Sequence, residues 1–183
     1  MISRIFAFFL FVIFSPLFLF LSILIFLEDG TPIFFKQKRV GVNYSYFWIY
    51  KFRSMKKSTP NVATHLLGDP EKYLLRIGKI IRKLSLDELP NLFNIFKGDM
   101  VFVGPRPALY NQDDLMALRV EAGVEKLKPG ITGWAQVNGR DEISLEEKVR
   151  FEKQYLEKKS LLFDIQIIIK TFTSVLTSKN VSH

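Results

Sequence analysis

Two adjacent carboxylates, Asp87 and Glu88, are the residues in this sequence best suited to chemistry. They follow four basic residues in an amphipathic segment and are expected at the start of the next helix: Arg76, Lys79, Arg82 and Lys83. The cations and the positive end of a helix favour an ionised Asp87, which could then act as a nucleophile or a metal ligand. The simpler alternative is that both acids only cap the helix, in a capping box with Ser85 or with Asp87 as the cap.

Arg106 stands between Pro105 and Pro107, in a stiff segment that follows a short apolar run. A guanidinium fixed in this way suits bidentate binding of a phosphate. A purely structural arginine fits the same pattern, so the residues alone leave both interpretations open.

Composition excludes several kinds of site. The 183-residue chain, predicted to be one domain, has no cysteine, which excludes disulfides, thiol nucleophiles and cysteine-ligated zinc or iron–sulfur sites. Its two histidines are His65, expected to be solvated in a polar loop, and the terminal His183. An enzyme built from this sequence therefore relies on carboxylates, hydroxyls, lysines, arginines or a hard metal bound through oxygen.

Positive charge is concentrated in the middle of the chain. The net charge is +8, and residues 30–100 carry 13 basic and 5 acidic residues. Such a region attracts the phosphates of nucleic acid, of nucleotides or of an anionic lipid surface, and composition does not choose among them.

An uncharged segment, residues 5–27, precedes this basic region and is predicted to enter a membrane. A straight helix of that length is roughly 34 Å long, enough to cross a hydrocarbon core of about 30 Å. Ser15-Pro16 falls at its middle, where proline bends a helix. On physical grounds a kinked spanning helix is favoured over a re-entrant hairpin. The basic residues that follow at 36, 38 and 39 place the globular part in the cytoplasm on either topology.

The remaining pattern predicts an α+β domain that is mostly α-helical. Two short apolar runs on either side of residues 40–43 predict a β-hairpin, and a strand is expected at 100–103. Helices are predicted at 74–84, from Asp87 to Gly98, and at 111–122, 144–158 and 161–176. A Gly-rich turn is expected to start at 129–133 and to end at 137–140. The last helix is strongly apolar but contains Asp164 and Lys170, so it is expected in the core or along a membrane interface.

Five blocks of sequence, in the right order, resemble the bacterial sugar transferase family, the monotopic phosphoglycosyl transferases. They are Tyr50-Lys51-Phe52-Arg53-Ser54-Met55, Arg82-Lys83-Leu84-Ser85-Leu86-Asp87-Glu88-Leu89-Pro90-Asn91-Leu92, Lys97-Gly98-Asp99-Met100, Val103-Gly104-Pro105-Arg106-Pro107 and Pro129-Gly130-Ile131-Thr132-Gly133-Trp134-Ala135-Gln136-Val137-Asn138-Gly139-Arg140. The resemblance covers nearly the whole chain, and the length is similar to the minimal, single-domain class of the family. The hairpin turn Asn43-Tyr44-Ser45 departs from the family pattern because it lacks the glycine often found there.

The resemblance implies transfer of a sugar-1-phosphate from a UDP-sugar to undecaprenyl phosphate with release of UMP, the first membrane step of lipid-linked glycan synthesis. It also implies Mg²⁺ as cofactor and no nucleic-acid partner. Matching the family's Asp-Glu pair makes Asp87 the nucleophile, which forms a phosphosugar–enzyme intermediate. Glu88 then supports metal binding or the second step, and both carboxylates are the implied metal ligands.

The same correspondence assigns contacts with phosphate or nucleotide to five basic residues: Arg82, Arg106, Arg140, Lys51 and Arg53. It also reverses the topology, because Ser15-Pro16 matches the break of a re-entrant membrane helix in the family. Residues 1–28 are then that helix and residues 29–183 the transferase domain, on the cytoplasmic face of the bacterial inner membrane and in contact with its lipids. The identity of the sugar, the glycan pathway and the oligomeric state are not predicted.

Two other functions compete with this one. A membrane-anchored module that binds nucleic acid or lipid through the basic region needs no catalysis, but it leaves the Asp-Glu pair unexplained. Direct transfer in a ternary complex, with Asp87 only as a Mg²⁺ ligand, keeps the reaction and removes the covalent intermediate. Sequential rather than ping-pong kinetics would identify it.

Overall fold

In the computed structural model, which describes residues 2–60, 68–139 and 143–177, the apolar N-terminal run forms two helices. They are α1 (Ile2–Ile13) and α2 (Ser15–Asp29), bent by 59° at the break, so the predicted interruption at Ser15-Pro16 is confirmed. Pro16 lies in the first turn of α2, where its missing N–H leaves no helical bond unmade. By length and hydropathy, each described helix alone falls short of a membrane span, whereas the bent pair together is long and apolar enough.

The predicted β-hairpin is confirmed. Strands β1 (Phe34–Val40) and β2 (Tyr46–Phe52) pair antiparallel, with Phe34 opposite Phe52. The connecting turn contains Asn43 at φ 50°, a left-handed conformation that asparagine tolerates without a glycine. The hairpin thereby fixes the basic residues of both strands relative to each other.

The segment that carries the two candidate carboxylates is less regular than predicted. Helix α3 (Arg76–Lys83) ends just before Ser85, whose φ of 54° redirects the chain. Asp87 and Glu88 follow in a short 3₁₀ turn, Leu86–Glu88, and α4 (Asn91–Lys97) begins three residues later. The predicted start of a regular α-helix at Asp87 is therefore wrong. The capping alternative is wrong as well, because in this described stretch no side chain caps the turn or α4. Gly98 ends α4 as predicted, with φ 95°.

The C-terminal half combines a second, two-stranded sheet with four helices. The predicted strand is β3 (Val101–Val103), and it pairs in parallel with β4 (Gly130–Thr132). Three predicted helices are confirmed as α5 (Asp113–Glu121), α7 (Leu145–Lys158) and α8 (Leu161–Thr177). The Gly-rich turn predicted from residue 129 onward is wrong over its described part, up to residue 139, since that stretch contains β4 and the short helix α6 (Trp134–Gly139). The observed architecture is α+β, as predicted.

The N-terminal helices share the core of the domain that follows them. Ala7 of α1 is buried against Ile49 of β2 and Ile95 of α4, and the Arg4 guanidinium donates to the Lys97 carbonyl at 2.8 Å. Phe18 of α2 contacts the ring of Phe52, with centroids 5.3 Å apart. The faces of these helices that point away from the core are apolar and exposed, with large side chains at Phe8, Phe9, Leu19, Phe20, Phe26 and Leu27.

Candidate active site

The site is built where three parts of the chain meet: the end of β2, the 3₁₀ turn after α3, and the loop after β3. Lys51 at the end of β2 donates a hydrogen bond from Nζ to Glu88 Oε1 at 2.6 Å. Arg106 from the loop places Nη1 at 3.8 Å from the same oxygen. The predicted residues Lys51, Glu88 and Arg106 are thus brought together from positions 37 and 18 residues apart in the chain.

The cations keep Glu88 ionised. Burial by itself would raise the pKa of the Glu88 carboxyl, but Lys51, Arg106 and Arg39 outweigh it and hold the pKa below its ordinary value. Glu88 is therefore a carboxylate at neutral pH, fixed in orientation by a charge-assisted hydrogen bond.

Asp87 behaves in the opposite way. Burial raises the pKa of its carboxyl, the negative charge of Glu88 adds to the increase, and Lys51 and Arg82 only partly offset it. Burial thus outweighs the cations in the direction of this shift, and an ionised Asp87 at neutral pH stays a prediction. Two adjacent carboxyls have pKa values shifted in opposite directions, an arrangement typical of sites where two acids have different roles.

Arg82 is held next to Asp87 by a hydrogen bond from its guanidinium to Ser54. Its Nε donates to the Ser54 hydroxyl at 2.8 Å, and burial lowers the pKa of the guanidinium while the charge of Asp87 opposes the decrease. Helix α3 comes this close to Ser54 because position 78 is a glycine. A Cβ there would lie 2.1 Å from the Ser54 carbonyl oxygen.

Arg39 of β1 belongs to the same cluster, although sequence reasoning used it only for membrane topology. Its Nη1 donates to the Pro107 carbonyl at 2.9 Å, and Nη2 donates to Gln37 Oε1 at 2.6 Å. Burial lowers its pKa to about 10, the charge of Arg106 adds to the decrease, and Glu88 opposes it. Arg39 could have been found from the sequence because β1 pairs with β2, the strand that carries Lys51.

A small cavity opens between these side chains. Its polar lining consists of Arg39, Lys51, Glu88, Asn91 and Arg106. Asn91 is only 3% exposed, and its Oδ1 has no hydrogen-bond partner within the described part of the protein. Three cations and one carboxylate line the cavity, so it is suited to bind an anion. The buried Asn91 amide beside them can form a hydrogen bond that selects among ligands.

Comparison with known proteins gives this arrangement a context. A family model described as bacterial sugar transferase matches residues 1–178. The chain belongs to the bacterial sugar transferase family.

Several members of the bacterial sugar transferase family are similar over most of this chain. The uncharacterized sugar transferase EpsL of Bacillus subtilis is 42% identical over 167 residues, which cover 91% of this chain and 81% of EpsL. A UDP-N-acetylgalactosamine-undecaprenyl-phosphate N-acetylgalactosaminephosphotransferase of Aeromonas hydrophila is 38% identical, with 90% of this chain covered and 40% of that protein. A UDP-glucose:undecaprenyl-phosphate glucose-1-phosphate transferase of Caulobacter vibrioides is 36% identical, with 92% and 66% covered.

Arg53, one of the basic residues that the family resemblance suggested, is not part of this cluster. Arg53 is 7% exposed, and its guanidinium bonds the Asp29 carboxylate and the carbonyls of Asp29 and Gly30. These contacts tie the end of α2 to the hairpin, so a phosphate contact of Arg53 stays a prediction that its geometry does not favour. Arg140 lies outside the described residues, as do His65 and His183.

The family resemblance implies Mg²⁺, and the side chains near the site show whether such an ion could bind. Within the described ranges, no group of three or more Asp, Glu, His or Cys side chains could hold a metal ion with protein ligands alone. Mg²⁺ is commonly held by one or two carboxylates together with substrate phosphates, and this requirement suits Asp87 and Glu88. The residues present therefore fit a Mg²⁺ ion that binds with the substrate.

Proposed function

We propose that this protein transfers a sugar-1-phosphate from a UDP-sugar to undecaprenyl phosphate and releases UMP. The observation that carries the proposal is the placement of two adjacent carboxyls, Asp87 and Glu88, among three cations: Lys51, Arg82 and Arg106. Lys51 bonds Glu88 at 2.6 Å, and Arg106 lies 3.8 Å from the same oxygen. The opposite directions of the two pKa shifts support it. The names of the Aeromonas and Caulobacter relatives supply the substrate classes.

The proposed first step is attack of an Asp87 carboxylate oxygen on the β-phosphorus of the UDP-sugar. The bond from that phosphorus to the oxygen bridging the two phosphates breaks, and UMP leaves with the electron pair. A carboxyl with a raised pKa is a more basic, less stabilised anion once it is ionised, which favours it as the nucleophile. Arg82 and Lys51 reduce the repulsion between this anion and the pyrophosphate.

In the second step an oxygen of undecaprenyl phosphate attacks the phosphorus of the Asp87 phosphosugar. The acyl phosphate bond breaks, Asp87 returns as a carboxylate, and the product is a sugar attached to undecaprenyl diphosphate. Glu88 stays ionised throughout, held by Lys51 and Arg106. Asp87 and Glu88 would hold Mg²⁺, which supplies neutralisation of pyrophosphate charge when bound.

The surface of the molecule supports a position at a membrane. The bent pair of helices α1 and α2 exposes large apolar side chains, and α8 exposes Ile165, Ile169 and Phe172 beside a buried Ile167. In the proposal, the pair forms a re-entrant anchor in the inner membrane and α8 lies at the interface, with the site on the cytoplasmic face. A soluble nucleotide sugar and a membrane-bound phosphate then reach the same carboxylates.

The test is release of UMP by the purified protein in lipid nanodiscs, with UDP-N-acetylgalactosamine, UDP-glucose and other UDP-sugars as donors. We expect sustained turnover with at least one donor, dependent on both undecaprenyl phosphate and Mg²⁺. Without the lipid, release should stop after one equivalent of UMP per protein, because Asp87 then stays modified. Asp87→Asn should lower the rate by about 10³-fold or more, as loss of a nucleophile does. Asp113→Asn, an exposed carboxylate on α5, is the matched control and should keep full activity. Full activity of Asp87→Asn would refute the proposed role.

A further inference from the structure

The loop that carries Arg106 is held by a buried ion pair that takes no part in the proposed chemistry. Arg119 of α5 donates from Nη2 to the Arg106 carbonyl at 2.8 Å. Its Nε donates to Glu152 Oε2 of α7 at 2.8 Å, and its Nη2 also donates to Glu152 Oε1 at 2.5 Å. One guanidinium therefore joins two helices to the backbone of Arg106 itself.

Both partners of the ion pair are removed from water. The side chains of Arg119 and Glu152 are 6% and 2% exposed. Burying two charges is costly, and well-packed apolar residues often stabilise a core equally well or better. The planar guanidinium does what an apolar pair cannot do, because its fork binds the carboxylate and still offers a donor to a backbone carbonyl.

The rest of the loop is fixed residue by residue. Gly104 donates its N–H to the Thr132 carbonyl at 2.8 Å, and the Pro105 carbonyl accepts from the Gly130 N–H at 2.9 Å. The Pro107 carbonyl accepts from Arg39, and the next carbonyl, that of Ala108, accepts from the Val40 N–H at 3.0 Å. The backbone of each residue from 104 to 108 is thus hydrogen-bonded to another part of the fold. At Arg106 the partner is the Arg119 side chain.

The side chain of Arg106 contrasts with this rigid backbone. It is 42% exposed and lies 3.8 Å from Glu88, at the cavity where an anion would bind. A half-exposed arginine loses much conformational freedom when it binds a ligand, and a fixed backbone reduces that loss. The ion pair holds the Arg106 backbone, and it thereby fixes the point from which the exposed side chain extends.

We propose that Arg119 and Glu152 are positioning residues that preorganise Arg106 for the phosphates of the nucleotide donor. The inference rests on the proposed function, since it assumes that Arg106 contacts that donor. It adds that α5 and α7, which carry no residue of the cluster, set the geometry of the cavity.

A double-mutant cycle tests the proposal, with Arg119→Lys, Arg106→Ala and the double variant. Lysine keeps the positive charge but lacks the planar guanidinium that bonds Glu152 and the Arg106 carbonyl at the same time. We expect Arg119→Lys to lower kcat/KM for the UDP-sugar by about tenfold in the wild-type background, and to have almost no effect when Arg106 is already alanine. Glu152→Asp, which shortens the carboxylate arm by one methylene, should behave in the same way and guards against poor folding of the lysine variant.

The control is the exposed ion pair on α7, Arg150 with Glu147, which are 64% and 41% exposed. Arg150→Lys should leave kcat/KM and Tm unchanged. An equal loss of kcat/KM from Arg119→Lys in both Arg106 backgrounds would show a merely structural pair and would overturn the proposal. So would an unchanged kcat/KM in both Arg119→Lys and Glu152→Asp.

The dissociation constant of UDP, measured for the same set of variants, tests the positioning role separately from the proposed reaction. If no donor supports turnover but UDP binding shows the coupling, the proposed reaction is wrong and the positioning role stands. If turnover is normal and neither kcat/KM nor UDP binding shows coupling, the positioning role is wrong and the reaction stands.

Discussion

Lys51 donates a hydrogen bond to Glu88 across 37 positions of sequence, with 2.6 Å between Nζ and Oε1. This contact connects the β-hairpin to the turn that holds both candidate catalytic carboxylates. The lysine is the nearest cation to Glu88, and it also lowers the pKa of Asp87. Its removal should therefore disturb both acids at once.

Lys51→Met should shift the pH dependence of the reaction. Because cations hold the pKa of Glu88 below its ordinary value, removing the nearest one raises that pKa, and the same change raises the pKa of Asp87 further. Both carboxyls must be ionised in the proposal, so the acidic limb of the kcat/KM profile should move to higher pH. Lys79→Met is the control, since Lys79 forms an exposed pair with Glu71. An unchanged acidic limb in Lys51→Met would contradict the proposed requirement for ionised Asp87 and Glu88.

Asp87→Asn should not destabilise the protein, even though it abolishes activity. The pKa of Asp87 is raised in the folded state, so the folded protein binds a proton there more tightly than the unfolded chain does. Stability from this group is present at low pH and is lost as pH rises through the folded pKa, which leaves an unfavourable charge at neutral pH. The Tm at pH 7.5 should therefore be equal to or higher than that of the wild type. A clear fall in Tm, absent in Asp113→Asn, would show that the charged form is net favourable.

Gly78→Ala should lower both stability and activity. The new Cβ would lie 2.1 Å from the Ser54 carbonyl oxygen, so α3 must move away from Ser54 and Arg82 must lose its bond to the Ser54 hydroxyl. The expected cost is about 1–3 kcal/mol, a fall in Tm of several degrees. Gly68→Ala is the matched control, because a Cβ there meets nothing within 4 Å. Equal thermal unfolding of the two variants would show that α3 adjusts without strain.

The topology of the N-terminal pair can be tested because the chain has no cysteine. Ser3→Cys near the start of α1 and Glu157→Cys on the exposed side of α7 each give a single thiol. Because Arg4 bonds the Lys97 carbonyl and Ala7 is buried against the domain, both thiols should react with an impermeant maleimide from the same face of the membrane. Labelling from opposite faces would show a spanning segment.

The sequence predicted the features that are local. The break at Ser15-Pro16 and the hairpin follow from proline geometry and from apolar runs a few residues long, and both are confirmed. The Asp87-Glu88 pair was recognisable because its members are consecutive. The short 3₁₀ turn that holds it depends on Ser85 adopting a left-handed conformation, which is rare for serine and was not predictable from spacing.

Features that depend on long-range contacts were missed. Arg39 reaches the cluster through strand pairing, and Arg119 meets Glu152 across 33 positions. Helix α6 was missed because six residues with glycine and asparagine resemble a turn. The pKa of Asp87 was expected to follow the nearby charges, whereas burial, which no local pattern reports, decides its direction.

In the proposed reaction Asp87 becomes covalently bound to the phosphosugar, and intact-mass measurement detects this bond. Purified protein and Mg²⁺ are mixed with a UDP-sugar that supports UMP release, but without the lipid acceptor. We expect a mass increase equal to one sugar phosphate on the wild type, its loss when undecaprenyl phosphate is added, and no increase on Asp87→Asn. Absence of any adduct, with UMP release still requiring undecaprenyl phosphate, would contradict the covalent route and favour direct transfer with Asp87 as a metal ligand.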